Sequence, residues 1–226
     1  MLAVLTPDQG AAVLATRTRA DTSFDNGNVH SQVSYLAHAF AEANEPEWRD
    51  ASVRGFDFIL AAQYTNGGFP QRYPNPKDFH AHITFNDYVM IGCLNVLQDA
   101  AEGAPQFAWL DHDRRERAGD AVPRGVECIV KCQISVNGKL TGWCQQHDEV
   151  TFEPRPARGF ELASICPQDT TYIVRLLMRL KTPDESVIHA VDAAVAWLKQ
   201  VELSGLRVER VKAHLWPSKS TTLIST

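Results

Sequence analysis

Leu60-Ala61-Ala62-Gln63-Tyr64-Thr65-Asn66-Gly67-Gly68 closes one apolar-periodic segment of the chain, and the same ending returns twice. Ile129-Val130-Lys131-Cys132-Gln133 runs into Ile134-Ser135-Val136-Asn137-Gly138, and Trp197-Leu198-Lys199-Gln200 into Val201-Glu202-Leu203-Ser204-Gly205. The glutamines lie 70 and then 67 residues apart, so the repeating unit is a helix hairpin ended by a glycine-containing loop. Upstream of the first ending, Val53, Phe56 and Leu60 lead to Gln63 at helical spacing, and Val33, Leu36, Ala37 and Phe40 precede them. They read as two antiparallel helices joined near Glu45 and Pro46. Met90, Cys93, Leu94 and Leu97 give a third helix, and Val126, Ile129, Val130 and Gln133 a fourth. The fourth is expected to break or kink on its N-terminal side at Pro123, which lacks an N–H. Tyr172, Ile173, Leu176, Leu177 and Leu180 give a fifth, and Val187, Ile188, Val191, Ala194, Val195 and Leu198 a sixth. A hairpin of amphipathic helices cannot cover its own apolar face, and three in succession close around a shared core. The expected fold class is mainly α, an α/α toroid of repeated helix hairpins with long loops at one end and at most short strands in those loops.

The chain has 226 residues, 44% of them hydrophobic, enough to bury one sizeable core. With 22 Lys+Arg against 27 Asp+Glu the formal charge is −5, which leaves no basic stripe for nucleic acid. An anionic polymer would also be repelled on average, so such a substrate needs a local cationic cleft or a bridging metal. No apolar run approaches the ~20 residues of a membrane span, and the start of the sequence lacks a charged n-region followed by an apolar h-region. The chain as written therefore reads as soluble, without an export signal. Cys93, Cys128, Cys132, Cys144 and Cys166 are odd in number and scattered, which suits buried thiols better than a disulfide framework or a zinc site.

Four segments are richer in polar and aromatic residues than a helix connection needs: Asp25-Asn26-Gly27, residues 66–74, Thr84-Phe85-Asn86-Asp87, and residues 138–161. Planar amides, tryptophan and arginine together suit sugars that carry carboxylates, because arginine engages a carboxylate bidentately and tryptophan stacks on a ring face. Each of these residues also has a structural reading. Asp25 can begin a turn and Asp87 stabilise a helix N-terminus, Arg155 and Arg158 can be solvated loop charges, and Trp143 can belong to the core. His80 and His82 lack the further ligands a metal site needs, and His147-Asp148 comes without a nucleophile elbow.

The runs Asp25-Asn26-Gly27, Gln63-Tyr64-Thr65-Asn66-Gly67-Gly68-Phe69-Pro70-Gln71, Ile83-Thr84-Phe85-Asn86-Asp87, Gly138-Lys139-Leu140-Thr141-Gly142-Trp143-Cys144-Gln145-Gln146-His147-Asp148 and Ala157-Arg158-Gly159-Phe160-Glu161 resemble, in order, successive landmarks of the pectate lyases of polysaccharide lyase family 10. The resemblance spans roughly residues 22 to 181. It implies calcium-assisted anti-β-elimination on α-1,4-polygalacturonate, an extracellular or periplasmic setting, and a monomer. Residue by residue, it implies Arg158 as the catalytic base, Asp87 and Asp25 at the metal, and Asp25, Arg72, Lys139, Trp143, Gln146 and Arg155 at the substrate.

The chemistry is coherent on physical grounds. Removing the C5 proton of a galacturonate requires charge developing on its carboxylate to be neutralised, and a hard cation held by aspartates does this. Arginine is an awkward base, since it is normally permanently protonated. Against the family pattern, the chain opens where a Gly-Gly-Trp-Pro-type loop is expected and stops soon after Leu215-Trp216-Pro217; in addition, Ile165-Cys166-Pro167-Gln168-Asp169 and Asn28-Val29-His30 replace family segments. Residues 1–215 therefore read as a partial catalytic domain and 216–226 as an unstructured or aberrant tail, with the activity of the truncated chain left open. Two alternatives stand beside the lyase: a non-catalytic pectate-binding remnant, and a glycoside hydrolase using Asp25 and Asp87 as its carboxylates.

Overall fold

A computed structural model describes residues 6–16, 22–210 and 221–225, and the side chains of those up to 206. Seven α-helices lie among the described residues: α1 (Pro7–Thr16), α2 (His30–Ala43), α3 (Pro46–Ala62), α4 (Val89–Ala101), α5 (His112–Lys131), α6 (Pro167–Leu177) and α7 (Glu185–Gln200). The last six are the expected ones. Their ends have local causes. Asn44 takes the left-handed conformation (φ 56°) that stops α2, and Pro46 opens α3 at the position where a missing N–H costs nothing. Asp111 and Asp184 cap α5 and α7 by accepting from the backbone N–H of Arg114 (3.0 Å) and Val187 (2.9 Å).

The helices pair as α2–α3, α4–α5 and α6–α7, and the pairs stack so that α2, α4 and α6 form one layer and α3, α5 and α7 the other. Helix α4 is the centre of the array, with Val89 through Leu94 all buried, and Phe24, Phe56, Phe69, Phe85, Phe107 and Trp143 fill the space around it. The recurring glutamines connect the units. Gln63 Nε2 donates to Gly67 O of its own loop (3.1 Å) and to Ala121 O of α5 (2.9 Å). Gln133 Nε2 repeats this one unit later, to Thr141 O (2.8 Å) and Ala190 O of α7 (2.9 Å). Each hairpin is thus tied to the next by one amide, while Gln200, at the end of α7, is exposed. Gly67 (φ 90°) lies so close to α5 that a Cβ there would be 2.0 Å from Arg124 O, so the loop requires glycine.

One expectation is corrected, and one helix has no counterpart in the sequence reading. Helix α5 does not break at Pro123 but begins eleven residues earlier at His112. Pro123 and Gly119 are both exposed, so the carbonyl that the proline leaves without a donor faces water, while Ala118, Ala121, Gly125, Cys128 and Ile129 hold the opposite face. Helix α1, which buries none of its residues, carries no periodic signal in the sequence.

The strands are short antiparallel pairs: β1 (Thr22–Ser23) with β2 (Arg72–Tyr73), β3 (Ile83–Thr84) with β6 (Gln146–His147), β4 (Ser135–Val136) with β5 (Lys139–Leu140), and β7 (Leu206–Arg210) with β8 (Thr221–Ser225). Within the segment expected to be an unstructured tail, Thr221–Ser225 is therefore paired as a strand; Leu215-Trp216-Pro217 and the 215/216 boundary lie outside the described residues. Cys93, Cys128, Cys132 and Cys144 are buried, Cys166 is half-buried, and all five are free thiols.

Candidate active site

Two strand pairs carry the candidate site. Pairing of β1 with β2, reinforced by Phe24 N–H donating to Gln71 O (2.9 Å), delivers the turn Asp25–Gly27. Pairing of β3 with β6, continued by the N–H groups of Phe85 and Asn86 both donating to Gln145 O (2.9 and 3.0 Å), delivers the turn Asn86–Tyr88. A fully buried phenylalanine, Phe24 or Phe85, anchors each turn immediately before it begins. Both turns hold left-handed residues, Asn26 (φ 53°), Asp87 (φ 52°) and Tyr88 (φ 66°), and Val29, two residues past the first turn, is β-branched with a positive φ of 65° outside the left-handed helical region. Such conformations persist only where surrounding contacts impose them, and here they turn both carboxylates toward each other.

The two turns touch, and the Asp25 and Asp87 side chains are in hydrogen-bonding contact although 62 residues separate them in sequence. Burial, then the hydrogen bond and charge of Asp25, push the Asp87 carboxyl up to about 6, against the opposing pull of Arg158. Asp25 Oδ1 is buried without a partner. Asn86 Nδ2 donates to Asp87 Oδ2 (3.0 Å), and Asn86 Oδ1 accepts from Gln145 Nε2 (3.0 Å), which holds the acidic turn in place.

Arg158 comes from the loop after β6. Its Nε donates to Glu161 Oε1 (3.0 Å), its Nη2 to the same oxygen, and its backbone N–H to Glu161 Oε2 (3.3 Å). Its Nη2 lies 4.0 Å from Asp87 Oδ2. Glu161 is buried and Arg158 is exposed, so the guanidinium sits at the surface against a carboxylate fixed below it. This pairing, first among the causes, raises the Arg158 pKa and holds the group as a cation. The loop is braced from below by His147, which is fully buried and neutral: its Nε2 accepts from Cys144 N–H (3.0 Å) and its Nδ1 bonds Phe152 O (2.8 Å), while burial pulls its pKa down to about 4. Asp148 accepts from the N–H groups of Val150 and Thr151 and pairs with Arg155 at 2.8 Å; backbone hydrogen bonds first, then Arg155, hold its carboxyl far below the ordinary range.

Of the residues proposed from sequence, the structure brings together Asp25, Asp87 and Arg158. Arg72 is half-buried on β2 opposite Ser23, beside the Asp25 turn. Arg155 is committed to Asp148. Lys139 is exposed on the hairpin that packs against α7 rather than on either acidic turn. Two assignments are corrected. Trp143 is fully buried with its Nε1 donating to Ile129 O (2.7 Å), and Gln146 is buried opposite Thr84, so neither presents a face to a polymer. Their residue types suit sugar binding, but here they serve the core and the β3–β6 ladder. Glu161, Asn86 and Gln145 stand in the sequence motifs without an assigned role; the three-residue spacing of Arg158 and Glu161 across Gly159 is the available signal.

Among the described residues no group of three or more His, Cys, Asp or Glu side chains is arranged to hold a metal ion. Asp25 and Asp87 are two carboxylates, and Asp25 Oδ1 is an orphaned acceptor. That donor set matches a hard, oxygen-seeking cation that takes its remaining ligands from elsewhere. No helix among the described residues is long and apolar enough to cross a membrane.

The chain is similar to solved structures of a family 10 polysaccharide lyase from Cellvibrio cellulosa. One is a point mutant of that enzyme in complex with trigalacturonic acid, at 31% identity and TM-score 0.81, covering 83% of this chain and 60% of that one. Another, without a ligand in its description, gives 31% identity and TM-score 0.80, covering 83% and 59%. The chain thus spans about three fifths of the length of these relatives. A search of curated proteins gives no match. The profile of the family described as pectic acid lyase matches residues 3–225. With its profile matched along nearly the whole sequence and its helical array superimposing on a family 10 lyase, the chain belongs to the pectic acid lyase family.

Proposed function

We propose that the protein is a pectate lyase that cleaves α-1,4-polygalacturonate by anti-β-elimination, with Asp25 and Asp87 as the protein ligands of a calcium ion and Arg158 as the base. The observation that carries this reading is the pair of facing aspartates, one of which, Asp87, has its Oδ2 4.0 Å from Arg158 Nη2. Calcium bound there supplies positive charge against the C6 carboxylate, where negative charge develops in the transition state. Once Arg158 has lost its own proton, which alkaline pH favours, its neutral guanidine takes the C5 proton, the electron pair of that bond becomes the C4–C5 double bond, the C4–O4 bond breaks, and the departing oxygen takes a proton from water. Glu161 opposes deprotonation of Arg158, so turnover should rise toward alkaline pH. Arg72, beside the Asp25 turn, is the best placed of the remaining arginines to meet a substrate carboxylate. The protein acts outside the cytoplasm, extracellularly or in a periplasm, and works as a monomer.

The test is ultraviolet absorbance of unsaturated product on polygalacturonate. Absorbance that grows with calcium and stops with chelator supports the lyase; chain cleavage without absorbance overturns it; binding without cleavage identifies a non-catalytic pectate binder.

A further inference from the structure

A groove of about 880 Å³ opens between α2, α4 and α6. It follows α4 from Tyr88, the residue after Asp87, to Asp99, which is about 16 Å of helix. At the Tyr88 end stands His30, 6% exposed, its ring laid on Gly92, where a Cβ would come within 2.3 Å of it. His30 Nε2 is buried and has no hydrogen-bond partner, an exception among buried polar atoms that calls for an explanation. Beside it the rings of Tyr88 and Tyr172 meet edge to face at 5.1 Å, and Tyr88 is fixed by Asn95 Nδ2 donating to its hydroxyl (2.8 Å).

The far end of the groove is cationic. Arg179 is held by Asn95 and Asp99. Arg175, one turn earlier on α6, is exposed, lines the groove, and has no carboxylate partner among the described residues. Two guanidinium groups against one carboxylate leave an excess of positive charge in a chain whose net charge is −5. An aromatic wall, an unmet imidazole nitrogen within it, and an uncommitted guanidinium are the elements that recognise a sugar carrying a carboxylate.

We infer that this groove is a second binding subsite for an acidic saccharide, separate from the Asp25–Asp87–Arg158 centre. Arg175 takes a uronate carboxylate, Tyr172 supports the sugar face, and the His30 ring closes the Tyr88 end of the groove. The uronate as ligand rests on the polygalacturonate reading of the catalytic centre; the groove's selectivity for anionic sugar does not require that centre to turn over.

The test uses the full chain in chelator, titrated with trigalacturonate and followed by backbone and arginine side-chain NMR. The amides of His30, Gly92 and Tyr172 should shift, and should still do so in Asp87→Ala/Arg158→Ala with affinity unchanged within about twofold. Arg175→Ala, which removes an exposed side chain and leaves the thermal midpoint in place, should weaken that binding about tenfold or more, and Arg175→Glu should remove it. Neutral trigalactose should give no shift at these amides. Absence of shifts in the parent protein, their loss in Asp87→Ala/Arg158→Ala, their persistence in Arg175→Glu, or equal response to the neutral sugar would each overturn the inference. Groove shifts in a protein that makes no unsaturated product would uphold the subsite and refute the lyase reading.

Discussion

Replacing Gln133 by alanine should uncouple the second hairpin from the third. Its Nε2 serves two carbonyls, Thr141 O and Ala190 O, from a side chain that is 8% exposed. Thr141 O, left facing a gap, costs about 1–3 kcal/mol; Ala190 O, inside α7, keeps its intrahelical bond and loses only the second one, about 1 kcal/mol, and the lost methylene adds about 0.8 kcal/mol. Against this, Gln133 Oε1 is itself buried and unpartnered, so its removal returns about 1–3 kcal/mol. The expected net loss is about 1–3 kcal/mol. Gln63→Ala should cost about 1 kcal/mol, since the site is half-buried and water can replace the amide. Gln200→Ala should change stability by less than about 0.5 kcal/mol. Gln133→Glu should exceed Gln133→Ala at neutral pH, because a carboxylate cannot donate to either carbonyl. Urea unfolding followed by circular dichroism, with the denaturant slope unchanged, gives each value. If Gln133→Ala were as mild as Gln200→Ala, the glutamines would not be what couples the repeats.

Gly67→Ala should destabilise the fold by about 2–4 kcal/mol, since both its positive φ and the 2.0 Å approach to Arg124 O exclude a side chain; a thermal melt reads this directly. His147 is buried neutral, with its pKa lowered from 6.5 to about 4. The unfolded chain therefore binds more protons between these values, and stability should fall as pH drops from about 6.5 to 4, by up to about 3 kcal/mol. His147→Gln should reduce that slope in pH-dependent urea midpoints; His30, whose pKa is also lowered to about 4 by burial, adds to it, and Asp87, raised to about 6, opposes it. Arg158→Ala should abolish product formation while leaving the melting temperature within a few degrees, and Arg158→Lys should also be severely impaired, because an ammonium does not reproduce the planar fork. Near-parent turnover in Arg158→Ala would move the base elsewhere, with Arg155 next in line.

The helices are legible in the sequence because apolar periodicity is a local signal, and the repeat is legible because Gln63, Gln133 and Gln200 recur at its ends. What the glutamines do is not, since Ala121 and Ala190 lie 58 and 57 residues away along the chain. Asp25, Asp87 and Arg158 emerge through motifs, which mark residues that converge in space irrespective of separation. Trp143 and Gln146 mislead for a physical reason: an amide or indole that can bind a sugar can equally satisfy a buried carbonyl or fill a core, and composition does not separate the two. Pro123 reads as a break because its helix's first half, His112 to Val122, is mostly charged and shows little apolar periodicity.

Product analysis of polygalacturonate cleavage in heavy-oxygen water tests the central claim most directly. Elimination breaks the C4–O4 bond without adding water, so the fragments should carry an unsaturated, ultraviolet-absorbing end, incorporate no heavy oxygen, and cease to form when calcium is chelated. A saturated product bearing heavy oxygen at its new reducing end, formed equally well in chelator, would contradict it.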